Sequence, residues 1–474
     1  MFHWNRTKII ATIGPASSSP AVMEELISSG IDIARINLSH GDKDQHFNLV
    51  RALRRVAKKL NSPLGILVDI PGPKIRLGLL EKRVISLKKG DILTFTAKKI
   101  LGNEGNLSLN YPRVLGGIKK GSFIYLNDGL IKLRVLKAKD REVVCRVENS
   151  GEIMSGKGVN IPGVLLDDYI KEKEMQDKLI FALGLEPDFL ALSFVKDKHD
   201  LLKARNFLGR KAKEIFLIAK IEKKEAVKNI DALIAESDGI MVARGDLGVE
   251  TSLAKLPFLQ KEIVEKCNLR GKPVIVATQI LSSMVYSPLP TRAEVTDIAN
   301  AILDGADCLM LSEETAVGKY PLEAVCTLRK VALITEKKFP YRKYLTQRIV
   351  KKISSLEAVS YSCVESAYHL DAKAIVVPTY SGETARWVSK FRPKATVFAL
   401  TSGRDVLRKL NIFWGVYPVL FPLRVSLENL PKKVESLLNK LNVHIKSGEK
   451  IIITGSNPMG KEGSTNLIQI HQLK

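Results

Sequence analysis

The sequence predicts an α/β protein of three units: a (β/α)8, or TIM, barrel, an all-β insertion within it, and a smaller C-terminal α/β unit. Three observations carry this. Eight short apolar runs that end in polar residues alternate with helix-period segments, the pattern of βα units around a parallel sheet. One interval breaks that rhythm with short alternating strands and Gly/Asn turns. The 474 residues suffice for about three domains at roughly 100 to 200 residues each.

The barrel strands are expected at 8–13, 33–38, 65–70, 189–194, 215–221, 239–243, 273–278 and 308–311, and helices at 20–29, 42–60, 171–183, 198–208, 223–235, 256–270, 292–303 and 321–338. The helix at 42–60 illustrates the pattern. Leu53, Val56, Ala57 and Leu60 share one face, whereas Arg51, Arg54, Arg55, Lys58 and Lys59 cover the others. Between residues 76 and 167, turns such as Lys89-Gly90-Asp91, Gly102-Asn103, Lys120-Gly121 and Asn127-Asp128-Gly129 separate the short strands. Residues 342–355 read as a junction, and strands follow at 374–377, 396–400 and 451–454. The expected domains are therefore a barrel at 1–75 and 168–345, an insertion at 76–167 and a C-terminal unit at 346–474.

Composition bounds the function. Lys and Arg number 74 against 50 Asp and Glu, so the formal charge is 74 − 50 = +24, which invites a nucleic-acid partner. A hydrophobic share of 45% with 26% charged residues excludes a disordered or collagen-like chain. No uninterrupted apolar run reaches about 18 residues, so no membrane span is expected. No signal-peptide pattern opens the chain, which predicts a cytoplasmic protein. The five cysteines (Cys145, Cys267, Cys308, Cys326, Cys363) form no C-x-x-C pair, and all are expected to be core thiols.

Barrel chemistry collects at strand ends. Those ends supply Arg35, Asn37 and Ser39 after strand two, Asp69 after three, Lys220 and Glu222 after five, Arg244, Gly245 and Asp246 after six, and Thr278 after seven. So many charges at one mouth are costly unless paired or bound to a ligand. The i, i+2 spacing puts Lys220 and Glu222 on one side of their strand, either as a salt bridge or presented to a ligand. Asp246 adds a second carboxylate, and two carboxylates beside a phosphate form the protein share of a Mg2+ site. Gly245 and Asp246, if they open a short helix, offer free N–H groups to an anion. The set suits a small, phosphorylated acid.

The segments KIIATIGPAS (8–17), DIARINLSHG (32–41), LVDIPGPKIR (67–76), IYLNDG (124–129), KGVNIPG (157–163), LIAKIE (217–222), IMVARGDLGVE (240–250), VIVATQILSSM (274–284), PTRAEVTDIANAILDGADCLMLSEETAVGKYP (290–321) and FRPKATVFALT (391–401) resemble pyruvate kinase. They stand in that family's order and spacing, over essentially the whole chain. The resemblance implies Mg2+-dependent phosphoryl transfer from phosphoenolpyruvate to ADP, giving pyruvate and ATP at the final step of glycolysis, in a homotetramer. It makes the insertion a lid domain that excludes water and the C-terminal unit a regulatory domain.

Residue by residue, the resemblance implies that Glu222 and Asp246 hold Mg2+, with Mn2+ as a substitute. Lys220 and Arg35 would neutralise the moving phosphoryl group. The backbone N–H groups of Gly245 and Asp246, with Thr278, would hold the substrate carboxylate, and Thr278 would position a water or proton relay for enolate protonation. Asn37, Leu38, Ser39, His40, Arg76 and Lys157 match nucleotide-contacting positions. Asp128 matches a lid residue near the metal-nucleotide, and it equally suits a tight turn. Asn37, Ser39, Asp69 and the carbonyl of Ile70 match K+ ligands. Lys74, however, replaces the acid of K+-requiring members, so K+ is expected not to be required. Thr379, Ser381, Gly382 and Thr384 match a loop for phosphorylated effectors, or form an ordinary strand-to-helix turn.

Two alternatives remain from the residues alone. Another barrel enzyme of phosphoenolpyruvate or pyruvate would share the acids and Mg2+ but lack the insertion and the terminal domain. A basic nucleic-acid-binding protein would use 51–59 and 337–352, but no known nucleic-acid motif accompanies either run, and no specific nucleic acid is expected.

Overall fold

The computed structural model describes residues 5–72, 74–127, 129–164, 170, 172–348, 353–426, 428–443, 445–457 and 465–473. Eight parallel strands close a barrel in consecutive order: Lys8–Thr12, Ile33–Asn37, Gly65–Ile70, Phe189–Leu192, Phe216–Ile221, Gly239–Ala243, Val274–Ala277 and Cys308–Leu311. These barrel strands, one to eight, lie within two residues of the expected spans. A parallel strand buried on both faces is apolar over most of its length, and that signal is local. The helix expected at 223–235 is instead two, Lys224–Lys228 and Ile230–Glu236, divided at Asn229. There the side-chain amide donates to the carbonyl of Lys196 at 3.0 Å.

A repeated device sets the register at the N-terminal rim. An aspartate stands just before each even-numbered strand, and its carboxylate accepts a backbone N–H from the preceding odd strand. Asp32 accepts from Ile9 at 2.8 Å, Asp188 from Ile66 at 2.8 Å, Asp238 from Leu217 at 2.8 Å and Asp307 from Val274 at 3.0 Å. Each carboxylate also meets a cation, since a buried charge needs a partner. Lys8 serves Asp32, Arg54 and Arg408 serve Asp188, Arg205 serves Asp238 and Arg392 serves Asp307. Arg392 and Arg408 come from the C-terminal part of the chain, which thereby seals the rim opposite the expected site.

The insertion follows strand three. Its six-stranded sheet runs in the order Val159–Asn160, Phe123–Leu126, Ile131–Lys139, Glu142–Val147, Ile92–Thr96 and Asn106–Ser108, and a separate two-stranded antiparallel sheet pairs Ile85–Leu87 with Gly151–Ile153. Alternate residues such as Phe95, Leu107, Leu133 and Cys145 fill its own core. Its entering and leaving segments run side by side, with the Leu77 N–H on the Lys157 carbonyl and the Val159 N–H on the Ile75 carbonyl. At the tip, Gly129 takes φ +94°, and a Cβ there would approach Val249 Cγ2 to 3.1 Å, so the turn seats on the helix Arg244–Glu250.

The C-terminal sheet has five strands in the order Val416–Leu420, Thr396–Thr401, Ala374–Pro378, Lys450–Ser456 and Thr465–Gln472. Both edge strands go beyond the three expected. Val416–Leu420 contains Pro418, which an edge strand tolerates, and Thr465–Gln472 pairs antiparallel with Lys450–Ser456. The junction contains a helix at Tyr341–Gln347.

One expected core thiol is misplaced. Cys326 is exposed on the helix Pro321–Lys337, whose buried face carries Ala324, Val325 and Leu328, whereas the other four cysteines are buried. Among the described residues no helix is long and apolar enough to cross a membrane.

Candidate functional site

Asp69 is the hub of the barrel mouth. Its Oδ2 accepts from Arg35 Nε at 2.9 Å and faces Arg35 Nη2 at 2.9 Å, while its Oδ1 accepts from Lys220 Nζ at 3.1 Å. Arg35 Nη1 also donates to Thr12 Oγ1 at 2.9 Å. Lys220 lies 3.0 Å from Glu222 Oε1 and donates to Ser193 Oγ at 2.7 Å. The same-side spacing on strand five thus yields the salt bridge, inside the cavity. Glu222 Oε2 accepts the Phe194 N–H at 2.6 Å.

Burial acts first on all three titrating groups. It would lift Asp69, but Lys220 and Arg35 more than reverse this and hold the carboxyl below its ordinary range. It would lower Lys220, but Asp69 and Glu222 outweigh it and keep the ammonium charged. It raises Glu222; Lys220 opposes this, and the negative charges of Asp246 and Asp69 reinforce it.

Asp246 and Gly245 lie in the short helix Arg244–Glu250 that follows strand six. The Gly245 N–H donates to Thr278 Oγ1 at 2.9 Å, and that hydroxyl donates to the Ala277 carbonyl at 2.6 Å. Lys74 Nζ stands 3.4 Å from Asp246 Oδ1. A cavity of about 460 Å3 gathers Arg35, Lys74, Lys220, Glu222, Asp246 and Thr278. Asn37, Leu38, Ser39, His40 and Arg76 line the same cavity, but Lys157 is not among its lining residues. A larger groove of about 1460 Å3 shares Asn37 and His40 and runs along the helix Lys43–Lys59. It lacks the acid and base cluster, so the chemistry resides in the smaller cavity.

Among the expected K+ ligands, the Asp69 carboxylate is engaged by two cations, Asn37 Oδ1 accepts the Ser39 N–H at 3.1 Å, and the Ile70 carbonyl accepts the Ser193 N–H at 3.4 Å. Asp128 lies outside the described residues. In the C-terminal loop, Thr379 Oγ1 accepts the Gly382 N–H at 2.9 Å and Thr384 Oγ1 meets Thr465 Oγ1 at 2.6 Å, while Ser381 is exposed.

The donor chemistry fits a divalent cation. Glu222 and Asp246 are oxygen donors close enough that the charge of Asp246 helps raise the Glu222 carboxyl, and a cation between them relieves that repulsion. Among the described residues no group of three or more His, Cys, Asp or Glu forms a metal cage. Two carboxylates leave positions for substrate and water, as Mg2+ prefers. Sequence reasoning missed Thr12, Ser193, the Phe194 N–H and the role of Arg244. Thr12 ends strand one and Ser193 follows strand four, so the same strand-end rule, extended to those strands, finds both.

The model of the pyruvate kinase barrel domain matches residues 4–325, and that of the pyruvate kinase alpha/beta domain matches 357–471. The chain belongs to the pyruvate kinase family. A pyruvate kinase of Geobacillus stearothermophilus is 42% identical over 473 residues, covering 98% of this chain and 80% of the relative. One of Staphylococcus aureus is 40% identical over 470 residues with the same coverage. The crystal structure of a pyruvate kinase from Cryptosporidium parvum superimposes with a TM-score of 0.93 at 37% identity, covering 99% of this chain and 97% of that one. The protein is thus a phosphotransferase, and pyruvate kinases act on phosphoenolpyruvate and ADP. Neither another phosphoenolpyruvate or pyruvate barrel enzyme nor the nucleic-acid-binding protein is favoured.

Proposed function

We propose that phosphoenolpyruvate binds in the 460 Å3 cavity with its phosphate toward Lys220 and Arg35 and its carboxylate toward the helix start at Gly245 and Asp246, where it takes over the Gly245 N–H that Thr278 Oγ1 otherwise accepts. The observation that carries this is the Lys220 ammonium, buried yet held charged by Asp69 and Glu222 at the cavity wall. Phosphoryl transfer needs alignment and charge neutralisation rather than covalent help. Asp69 orients both cations, and Arg35 presents a planar fork where Lys220 presents a point charge. Glu222 and Asp246 would hold Mg2+, or Mn2+ in its place, and the chemistry supplied there is neutralisation of phosphate and enolate oxygens. Thr278 positions the proton relay at the enolate carbon. Asn37 to His40, Arg76, Lys157 and Asp128 form the nucleotide side, with the insertion (76–167) as lid. The segment 379–384 serves as effector loop of a regulatory domain (346–474).

Turnover proceeds without K+, with Lys74 supplying the positive charge. The enzyme works in the cytoplasm as a homotetramer. A coupled assay of pyruvate formation from phosphoenolpyruvate and ADP tests the assignment. Activity should require Mg2+ or Mn2+ and disappear in Glu222→Ala, and full activity in that variant would refute it.

A further inference from the structure

Ala243 pairs with Ala277 at the ends of strands six and seven, so Arg244 and Thr278 emerge as neighbours at the barrel mouth. Thr278 and Gln279 take φ of +67° and +55°. Two successive non-glycine residues in the left-handed region are strained, most of all a β-branched threonine. Such a turn persists only where its surroundings dictate it, and here the Arg244 side chain holds its carbonyls while the Gly245 N–H and the Ala277 carbonyl engage the Thr278 hydroxyl. Arg244 donates from Nε and Nη2 to the Thr278 carbonyl at 3.1 and 2.8 Å, and from Nη2 to the Gln279 carbonyl at 2.8 Å. Its Nη1 donates to Asp297 Oδ2 at 2.6 Å, on the helix Arg292–Asp304. The side chain is buried. Only a planar fork reaches two carbonyls and a carboxylate together, so lysine cannot replace it.

We propose that Arg244 is a positioning residue: by clamping this turn it fixes the Thr278 hydroxyl where the enolate is protonated. The step is the addition of one solvent-derived proton to the enolate carbon, whose electron pair forms the new C–H bond. Its reverse exchanges the methyl hydrogens of pyruvate with solvent. The proposal rests on the assignment of Thr278 above.

The test compares wild type, Arg244→Lys, Thr278→Ala and the double variant as intact Mg2+-loaded enzyme. It measures kcat, KM for ADP, thermal midpoint, and deuterium uptake into the pyruvate methyl group with Mg2+ and ATP in D2O. Arg244→Lys should lower kcat and deuterium uptake together by about tenfold or more, as displaced catalytic groups do. The KM for ADP and the thermal midpoint should stay near wild type, and the double variant should be no worse than Thr278→Ala alone. Wild-type deuterium uptake in Arg244→Lys, with uptake lost in Thr278→Ala, overturns the clamp and leaves the Thr278 assignment standing. Losses that multiply in the double variant also overturn it. Unchanged rates in Thr278→Ala overturn the assignment itself and the clamp with it. Should Arg244→Lys fail to fold, Asp297→Asn, which weakens one contact of the fork, should lower the same two rates to a smaller degree, and unchanged rates there overturn the clamp.

Discussion

Lys74 Nζ lies 3.4 Å from Asp246 Oδ1, and both side chains are 27% exposed. The ammonium proposed to stand in for K+ thus meets a carboxylate proposed to hold the divalent cation. The proposed monovalent independence and the proposed divalent site therefore share one side-chain contact.

Replacing Lys74 should separate the two. Turnover of the wild type should be equal with Na+, K+ or tetramethylammonium as sole monovalent cation. Lys74→Gln should lower the Mg2+ concentration for half-maximal rate by a few-fold, the scale of a partly exposed ion pair. Strict K+ dependence of the wild type would sink the first expectation, and unchanged Mg2+ dependence in the variant the second.

Lys220→Met should lower kcat by about 10²- to 10³-fold or more, the scale of losing a preorganised charge at a reacting oxygen. It also leaves Asp69 and Glu222 buried without their shared cation, so stability should fall by about 3 kcal/mol or more. Steady-state kinetics and denaturant titration check both, and circular dichroism verifies that the kinetic sample is folded.

Asp69 should stabilise the fold in a pH-dependent way. Its folded pKa lies below the ordinary value of 3.8, because Lys220 and Arg35 outweigh its burial. A depressed carboxyl pKa adds stability above the unfolded value and loses it as pH falls through the folded one. The stability gap between wild type and Asp69→Asn should therefore be full at neutral pH and shrink as the pH drops below 3.8. A gap independent of pH in urea titrations would count against this pairing.

The opposite rim should matter for stability and little for catalysis. Arg392→Met removes the 2.7 Å bond to Asp307 and the contacts to the Asn268 side chain and the Gly305 carbonyl, all buried. A loss of about 3 to 5 kcal/mol is expected, seen as a lower calorimetric midpoint with kcat within a few-fold of wild type. A large fall in kcat at unchanged midpoint would assign this rim a different role.

Much of the site was legible in the sequence because barrel chemistry is periodic. Strand two announces Arg35 and Asn37, strand five Lys220 and Glu222, and each sits one or two positions from the end of an apolar run. The edge strands of the terminal domain were less legible. Pro418 interrupts one, and the other, TNLIQIHQ, is half polar with no apolar run to mark it. The helix break at Asn229 was hidden as well, since it goes with a hydrogen bond from the Asn229 side chain to the Lys196 carbonyl, 33 residues away.

The sequence by itself determined the order of βα units, the position of the insertion and the residues at the strand ends, because burial on both faces of a parallel sheet writes a local apolar pattern. Only the tertiary structure decided which charges meet. Lys74 reaches Asp246 across 172 residues, Arg35 reaches Asp69 across 34, Arg392 reaches Asp307 across 85, and Arg244 closes on two carbonyls beyond the next helix. Barrel closure sets those distances. Electrostatic and hydrogen-bond energies fall off over a few ångströms, so no local pattern of residues records them.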